Sequence, residues 1–121
     1  SKNIFYQGTI QPQEVYEVLA SFDAMIFPTI SPQEGYPGAV IESLMVGLPV
    51  LASNWLHLPE ILNKNNSIFF KPSNVDSIIN AVQSFNINSG LRYNLSEGAL
   101  ESSVDFNLED QTNKLLNKLL D

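Results

Sequence analysis

Cysteine is absent from the 121 residues, which excludes disulfides and thiolate metal sites and accords with a cytoplasmic setting. Basic residues are scarce: six Lys and Arg stand against thirteen Asp and Glu, for a formal net charge of −7. Lys2, Lys64, Lys71, Arg92, Lys114 and Lys118 are scattered rather than gathered into a stripe, which argues against a nucleic-acid partner. The same scatter leaves no polybasic patch for a membrane surface. Crossing a bilayer takes roughly 18 to 20 consecutive apolar residues, and no stretch approaches that length. Any membrane association is therefore expected through regions outside this chain. No secretory signal is visible, because Ser1-Lys2-Asn3 lead straight into an apolar segment. The single histidine, His57, belongs to no cluster with metal-ligand spacing, so no metal is expected. No repeat, low-complexity tract or interdomain linker is evident. What is present is one domain's worth of chain, 1–121, with an ordinary apolar share and enough length to bury a core.

Strand and helix signals alternate. Ile4-Phe5-Tyr6-Gln7 reads as a short strand ended by Gly8, and Gln13 to Ser21 as a helix with Val15, Val18 and Leu19 at helical spacing. Ala24 to Phe27 forms an apolar strand stopped by Pro28. A helix over Ala39 to Val46 ends at Gly47, and Pro49 leads into the strand Val50 to Ala52. A helical turn at Pro59 to Leu62, a polar turn at Asn63 to Asn66 and a strand over Ser67 to Phe70 follow. Ser73 or Asn74 caps a helix whose inward face is expected to carry Val75, Ile78, Ile79 and Val82. Asn86 to Gly90 reads as a loop and Leu91 to Ser103 as a helix interrupted by Gly98. Asn107 caps a last helix with Leu108, Leu115, Leu116, Leu119 and Leu120 on one side. Short, almost wholly apolar strands between helices predict an α/β fold, a Rossmann-like parallel sheet with helices on both faces.

In such sheets ligands bind beyond the carboxyl ends of the strands, which places Pro28 to Gly38 in the crevice on topology alone. Pro28, Pro32 and Pro37 stiffen that loop. Its end, Glu34-Gly35-Tyr36-Pro37-Gly38, opens directly into the helix that carries Glu42. A glycine-rich turn feeding a helix leaves free N–H groups and a positive dipole end, where an anion such as phosphate docks. Two carboxylates eight positions apart then flank the anion, placed to accept hydrogen bonds from hydroxyls on either side. A sugar diphosphate linked to a nucleoside has that layout.

The string resembles the E-x7-E donor signature of retaining GT-B glycosyltransferases of family four (group 1). Met25-Ile26-Phe27-Pro28, Ser31, Glu34-Gly35, Pro37, Ile41-Glu42, Gly47, Pro49-Val50 and Pro59-Glu60-Ile61 carry the resemblance. It implies most of a C-terminal, donor-binding domain. It further implies that Glu34, Gly35, Tyr36, Pro37, Gly38, Ala39 and Glu42 bind a nucleotide-sugar, with Glu34 at the catalytic centre on the transferred sugar's hydroxyls and Glu42 on the ribose. Transfer with retention, no cofactor and no metal follow from the same resemblance. The family's phosphate-binding Arg and Lys have no counterpart before Glu34, where Lys2 is the sole basic residue. Those cations, and an N-terminal domain for a glycan, lipid or protein acceptor, are expected outside this chain, which alone is expected to be inactive.

Plainer readings stand beside these. Glu42 near a helix start favours the helix dipole by a few tenths of a kcal/mol whether or not a ligand binds, and an isolated Glu34 would be a solvated loop carboxylate. Gly35 and Gly38 would serve turn dihedrals. Tyr36 either meets the sugar or packs as an aromatic. Ser53 and Asn54 end a strand in the crevice and are candidates for the donor's phosphate or base, Trp55 reads as a lid or packing residue, and His57 as a variable loop residue without a catalytic role. Rival functions are a stand-alone nucleotide-sugar-binding subunit that needs a partner chain, and a nucleotide-sugar epimerase of the same fold. A receiver domain fits poorly because Asp23 precedes its strand, and a flavodoxin-like module because Gly8-Thr9-Ile10-Gln11-Pro12 is no phosphate loop.

Overall fold

A parallel ladder of three short strands organises the chain in a computed structural model that describes residues 3–106 together with Leu116, Leu119 and Leu120. The strands are β1 (Met25–Phe27), β2 (Val50–Ser53) and β3 (Ser67–Phe70), in spatial order β1-β2-β3. Met25 pairs with Val50, and Val50 in turn with Ser67. The helices are α1 (Val15–Ala20), α2 (Gly38–Met45), α3 (Leu58–Ile61), α4 (Val75–Ile87) and α5 (Ser89–Ser103).

The central strand β2 is buried throughout, and the two-residue alternation of its side chains separates two apolar layers. Val50 and Ala52 join Val40 and Leu44 of α2, Leu58 and Ile61 of α3, Leu62 and Ala99. Leu51 points the other way, to Phe70, Ala81, Phe85 and Leu95. Helices thus cover both faces, as the apolar strands predict. The α2 helix stops in a Schellman motif: Gly47 has φ +74°, its N–H donates to the Leu44 carbonyl at 3.1 Å, and the Leu48 N–H reaches the Ser43 carbonyl at 2.9 Å. That turn delivers Pro49 to the start of β2.

Four sequence expectations change. Residues 4–7 form no strand; Ile4, Phe5 and Tyr6 are exposed, and among the described residues no strand pairs with them, without which β-propensity has no ladder to satisfy. The inward face of α4 carries Ile78, Ala81 and Phe85, while Val75, Ile79 and Val82 face outward. Ile78, the small Ala81 and the bulky Phe85 form the stripe that fits the sheet, and Val75, Ile79 and Val82 do not. The loop expected at 86–90 is a corner: α4 runs to Ile87 and Asn88 caps α5, its side chain accepting from the Leu91 N–H at 2.9 Å. Finally, α5 passes through Gly98 without interruption. The helix expected from Asn107 falls outside the described residues except at Leu116, Leu119 and Leu120, which are helical and exposed.

Candidate functional site

The carboxyl ends of β1 and β2 meet the amino end of α2, and the loop from Pro28 to Pro37 lies across that junction. Pro37 occupies the N-cap position of α2 with extended dihedrals, and no side chain caps the helix. Both longer helices are finished differently, with Asn74 accepting from the Ser77 N–H on α4 and Asn88 capping α5. Proline at the N-cap has no side-chain acceptor to offer, so the first amides of α2 are left to solvent or a ligand. Their aligned dipoles favour an anion there.

The two glutamates of the spacing differ in their partners. Glu34 is half-buried, and its Oε2 accepts a hydrogen bond from Thr29 Oγ1 at 2.7 Å. Thr29 also accepts from the Ser31 N–H at 3.2 Å, which folds the loop around the carboxylate. Glu42 is half-buried and lies one turn inside α2. Its Oε1 comes back along the helix to 3.5 Å from the place a Cβ on Gly38 would take. Among the described residues Glu42 has no hydrogen-bond partner, although a half-sheltered carboxylate gains from one. Ala39 and Gly38 are exposed between the two acids.

The glycines are not explained by turn dihedrals, contrary to the plainer reading. Neither Gly35 nor Gly38 adopts a positive φ, in contrast to Gly8 and Gly47. A Cβ at Gly35 would meet nothing within 4 Å. Gly35 leaves open space beside the backbone, where another molecule can come close, and Gly38 leaves room in which the Glu42 carboxylate lies.

Tyr36 is exposed, and its hydroxyl donates to Glu60 of α3. Glu60 also faces His57 Nδ1 at 3.3 Å, and the Tyr36 and His57 rings meet edge-on with centroids 6.5 Å apart. The Tyr36 hydrogen bond, followed by that of His57, holds the Glu60 carboxyl below its ordinary value. The same bond raises the Tyr36 phenol above its own. Gly35, Tyr36, His57 and Glu60 line a cleft of about 240 Å³. Trp55 packs against the core layer of α2 and donates Nε1–H to the Ser31 carbonyl at 2.8 Å. Ser53 is fully buried and its hydroxyl has no partner among the described residues, and Asn54 is exposed.

The seven residues singled out in the sequence thus occupy the end of the loop before α2 and its first turns, with Tyr36 turned to α3 and Glu34 to Thr29. Sequence reading missed Thr29 and Glu60. Thr29 is signalled only by lying five positions before Glu34 in the same loop; Glu60 comes from a different element, and no local pattern joins it to Tyr36.

A family model described as glycosyl transferases group 1 matches residues 1–102. Among solved structures, the sucrose-phosphate synthase of Thermosynechococcus elongatus superposes with a TM-score of 0.85 at 19% identity, covering 99% of this chain and 31% of that one. The C-terminal domain of a glycosyl transferase group 1 family protein from Francisella tularensis gives 0.70 at 19% identity, covering 84% of this chain and 52% of that one. Anabaena HepE, crystallised in complex with UDP, gives 0.77 at 16% identity over 85% of this chain and 29% of that one. At such identities the likeness is one of fold. The chain spans from under a third to about half of these structures. No curated protein matches the sequence.

Proposed function

Because the chain belongs to the group 1 glycosyl transferases, we propose that it is the donor-binding domain of a retaining glycosyltransferase and holds a nucleotide-sugar at the amino end of α2. The observation that carries this reading is the helix end without a side-chain cap, with Glu34 in the loop that leads into it and the Glu42 carboxylate, unpartnered among the described residues, turned back toward Gly38. A diphosphate at the free amides of Gly38 and Ala39 replaces the missing cap. Glu42 then accepts hydrogen bonds from the ribose hydroxyls, and Glu34, oriented by Thr29, accepts from hydroxyls of the transferred sugar. Gly35, Tyr36, Pro37 and Gly38 form the wall that the donor approaches.

In this mechanism the glutamates position the donor and do no acid–base work. Charge that develops on the leaving diphosphate is stabilised by the helix end, aided by cations from elsewhere in the parent enzyme. The sugar passes with retained configuration to an acceptor held by a second domain. Exposed Ile4, Phe5, Phe22, Ile26 and Ile30 support packing against further polypeptide, which serves a two-domain enzyme and a subunit with a partner chain equally.

Calorimetry of the full-length parent with UDP- and GDP-sugars tests the reading. One of them binds, and Glu42→Ala weakens it by roughly 1.5 to 3 kcal/mol, the worth of a hydrogen bond to a charged group. Equal affinity in the variant would remove Glu42 from the donor site and return it to helix stabilisation.

A further inference from the structure

The loop that carries Glu34 is tied to its surroundings from one direction. Among the described residues, two side-chain hydrogen bonds leave residues 28–37 for another element, one to Trp55 just past β2 and one to Glu60 of α3. Trp55 Nε1–H reaches the Ser31 carbonyl, three residues before Glu34, and Glu60 takes the Tyr36 hydroxyl, two residues after it. The anchors are firm on the far side. Trp55 packs on the core layer, and Glu60 rides on a helical turn pinned by Leu58 and Ile61, which are 0% and 6% exposed. Between them the chain reverses at Leu56, whose φ of +43° is a left-handed conformation that a leucine adopts only when its surroundings compel it. His57 completes the far anchor by contacting both Glu60 and the Tyr36 ring.

On the donor-site reading above, we propose that Trp55 and Glu60 are positioning residues: their hydrogen bonds to Ser31 and Tyr36 clasp the loop on both sides of Glu34 and hold that carboxylate ready for the sugar. Neither needs to touch the donor. A loop fixed beforehand spends less of the binding energy on being ordered, so loosening either clasp lowers affinity through Glu34.

Trp55→Phe keeps the packing and loses the N–H; Tyr36→Phe and Glu60→Ala each break the second clasp; Glu60→Gln keeps an acceptor. Calorimetry of the full-length parent with its nucleotide-sugar is expected to show about a five- to tenfold loss for the first three, the net worth of one hydrogen bond. Glu60→Gln restores most of the affinity, and the Tyr36→Phe/Glu60→Ala double variant binds no worse than either single one. Additive losses, or a weak Glu60→Ala beside an unaffected Tyr36→Phe, would mean that Glu60 meets the donor directly and would overturn the proposal. A readout without ligand stands apart from the donor reading. Ultraviolet titration of the full-length parent, with the difference against Tyr36→Phe isolating that phenol, should find it raised in the parent and lowered by Glu60→Ala. An unchanged titration sinks the clasp whatever Glu42→Ala does. Clasp variants that weaken binding while Glu42→Ala does not would keep the clasp and discard the ribose contact.

Discussion

Gly98 has no side chain because the carbonyl of Asn65 occupies its place: a Cβ there would stand 1.8 Å from that oxygen. The obstacle is backbone, so no rotamer change relieves it. Gly98→Ala should cost about 3 kcal/mol or more, measured by urea denaturation. The sequence shows only a glycine in a helical pattern, which reads as a break; the approach of the Asn63–Asn66 turn is tertiary and leaves no local trace. Gly35 and Gly38 make the opposite case. Alanine fits at both without strain or clash, so Gly35→Ala and Gly38→Ala should fold as stably as the parent yet bind the donor more weakly. Equal binding would show that the space beside them serves no ligand. The Glu60–Tyr36 pair also sets a pH window. Glu60 is lowered, chiefly by Tyr36 and then by His57, so its contribution is present above the ordinary carboxylate value of 4.5 and lost as pH falls through the lower folded value. Tyr36 is raised by the same bond, so its contribution holds below 10.0 and fades as pH climbs through the higher folded value. Carbon NMR of the Glu60 carboxyl should show a midpoint below 4.5 that returns toward it in Tyr36→Phe.

At the scale of elements, legibility followed the range of the forces involved. The strands at 50–52 and 67–70 and the α2 helix were readable because apolar runs, Gly47 and Pro49 are local punctuation. The α4–α5 corner was not, because Asn88 ends one helix and starts the next in a single residue, and a polar cluster there reads as a loop. Its cap is testable: Asn88→Ala should lower stability by about 1 kcal/mol, seen as a shifted denaturation midpoint with an unchanged slope. The face of α4 was misjudged for a related reason. Val75, Ile78, Ile79 and Val82 share a helical stripe with apolar character, but only Ile78 of them packs inward, beside Ala81 and Phe85, and shape decides which stripe is buried. The segment at 4–7 has strand-forming residues without a neighbour, which no single-segment argument reveals.

At the scale of the whole molecule, topology points to one candidate crevice. A parallel sheet gathers the carboxyl ends of β1 and β2 with the start of α2, so the position of the crevice followed from the alternation of strands and helices. The seven candidate residues could be singled out because they lie within one loop and helix. The hydrogen bonds that Trp55 and Glu60 make to that loop were not legible, because both residues arrive from another crossover. If the crevice takes the donor, saturating nucleotide-sugar raises the melting temperature of the full-length parent; an excess of a hundredfold over Kd corresponds to about 2.7 kcal/mol. Glu42→Ala should reduce that shift at the same concentration.

The open end of α2 has a consequence for turnover. A helix finished by a diphosphate is finished equally well by the donor and by the nucleoside diphosphate left after transfer, since both present the same anion to Gly38 and Ala39. If the donor binds there, the spent nucleotide is expected to compete with it for the same amides, and the pace of the parent enzyme would then depend on how fast the first turn of this helix lets go.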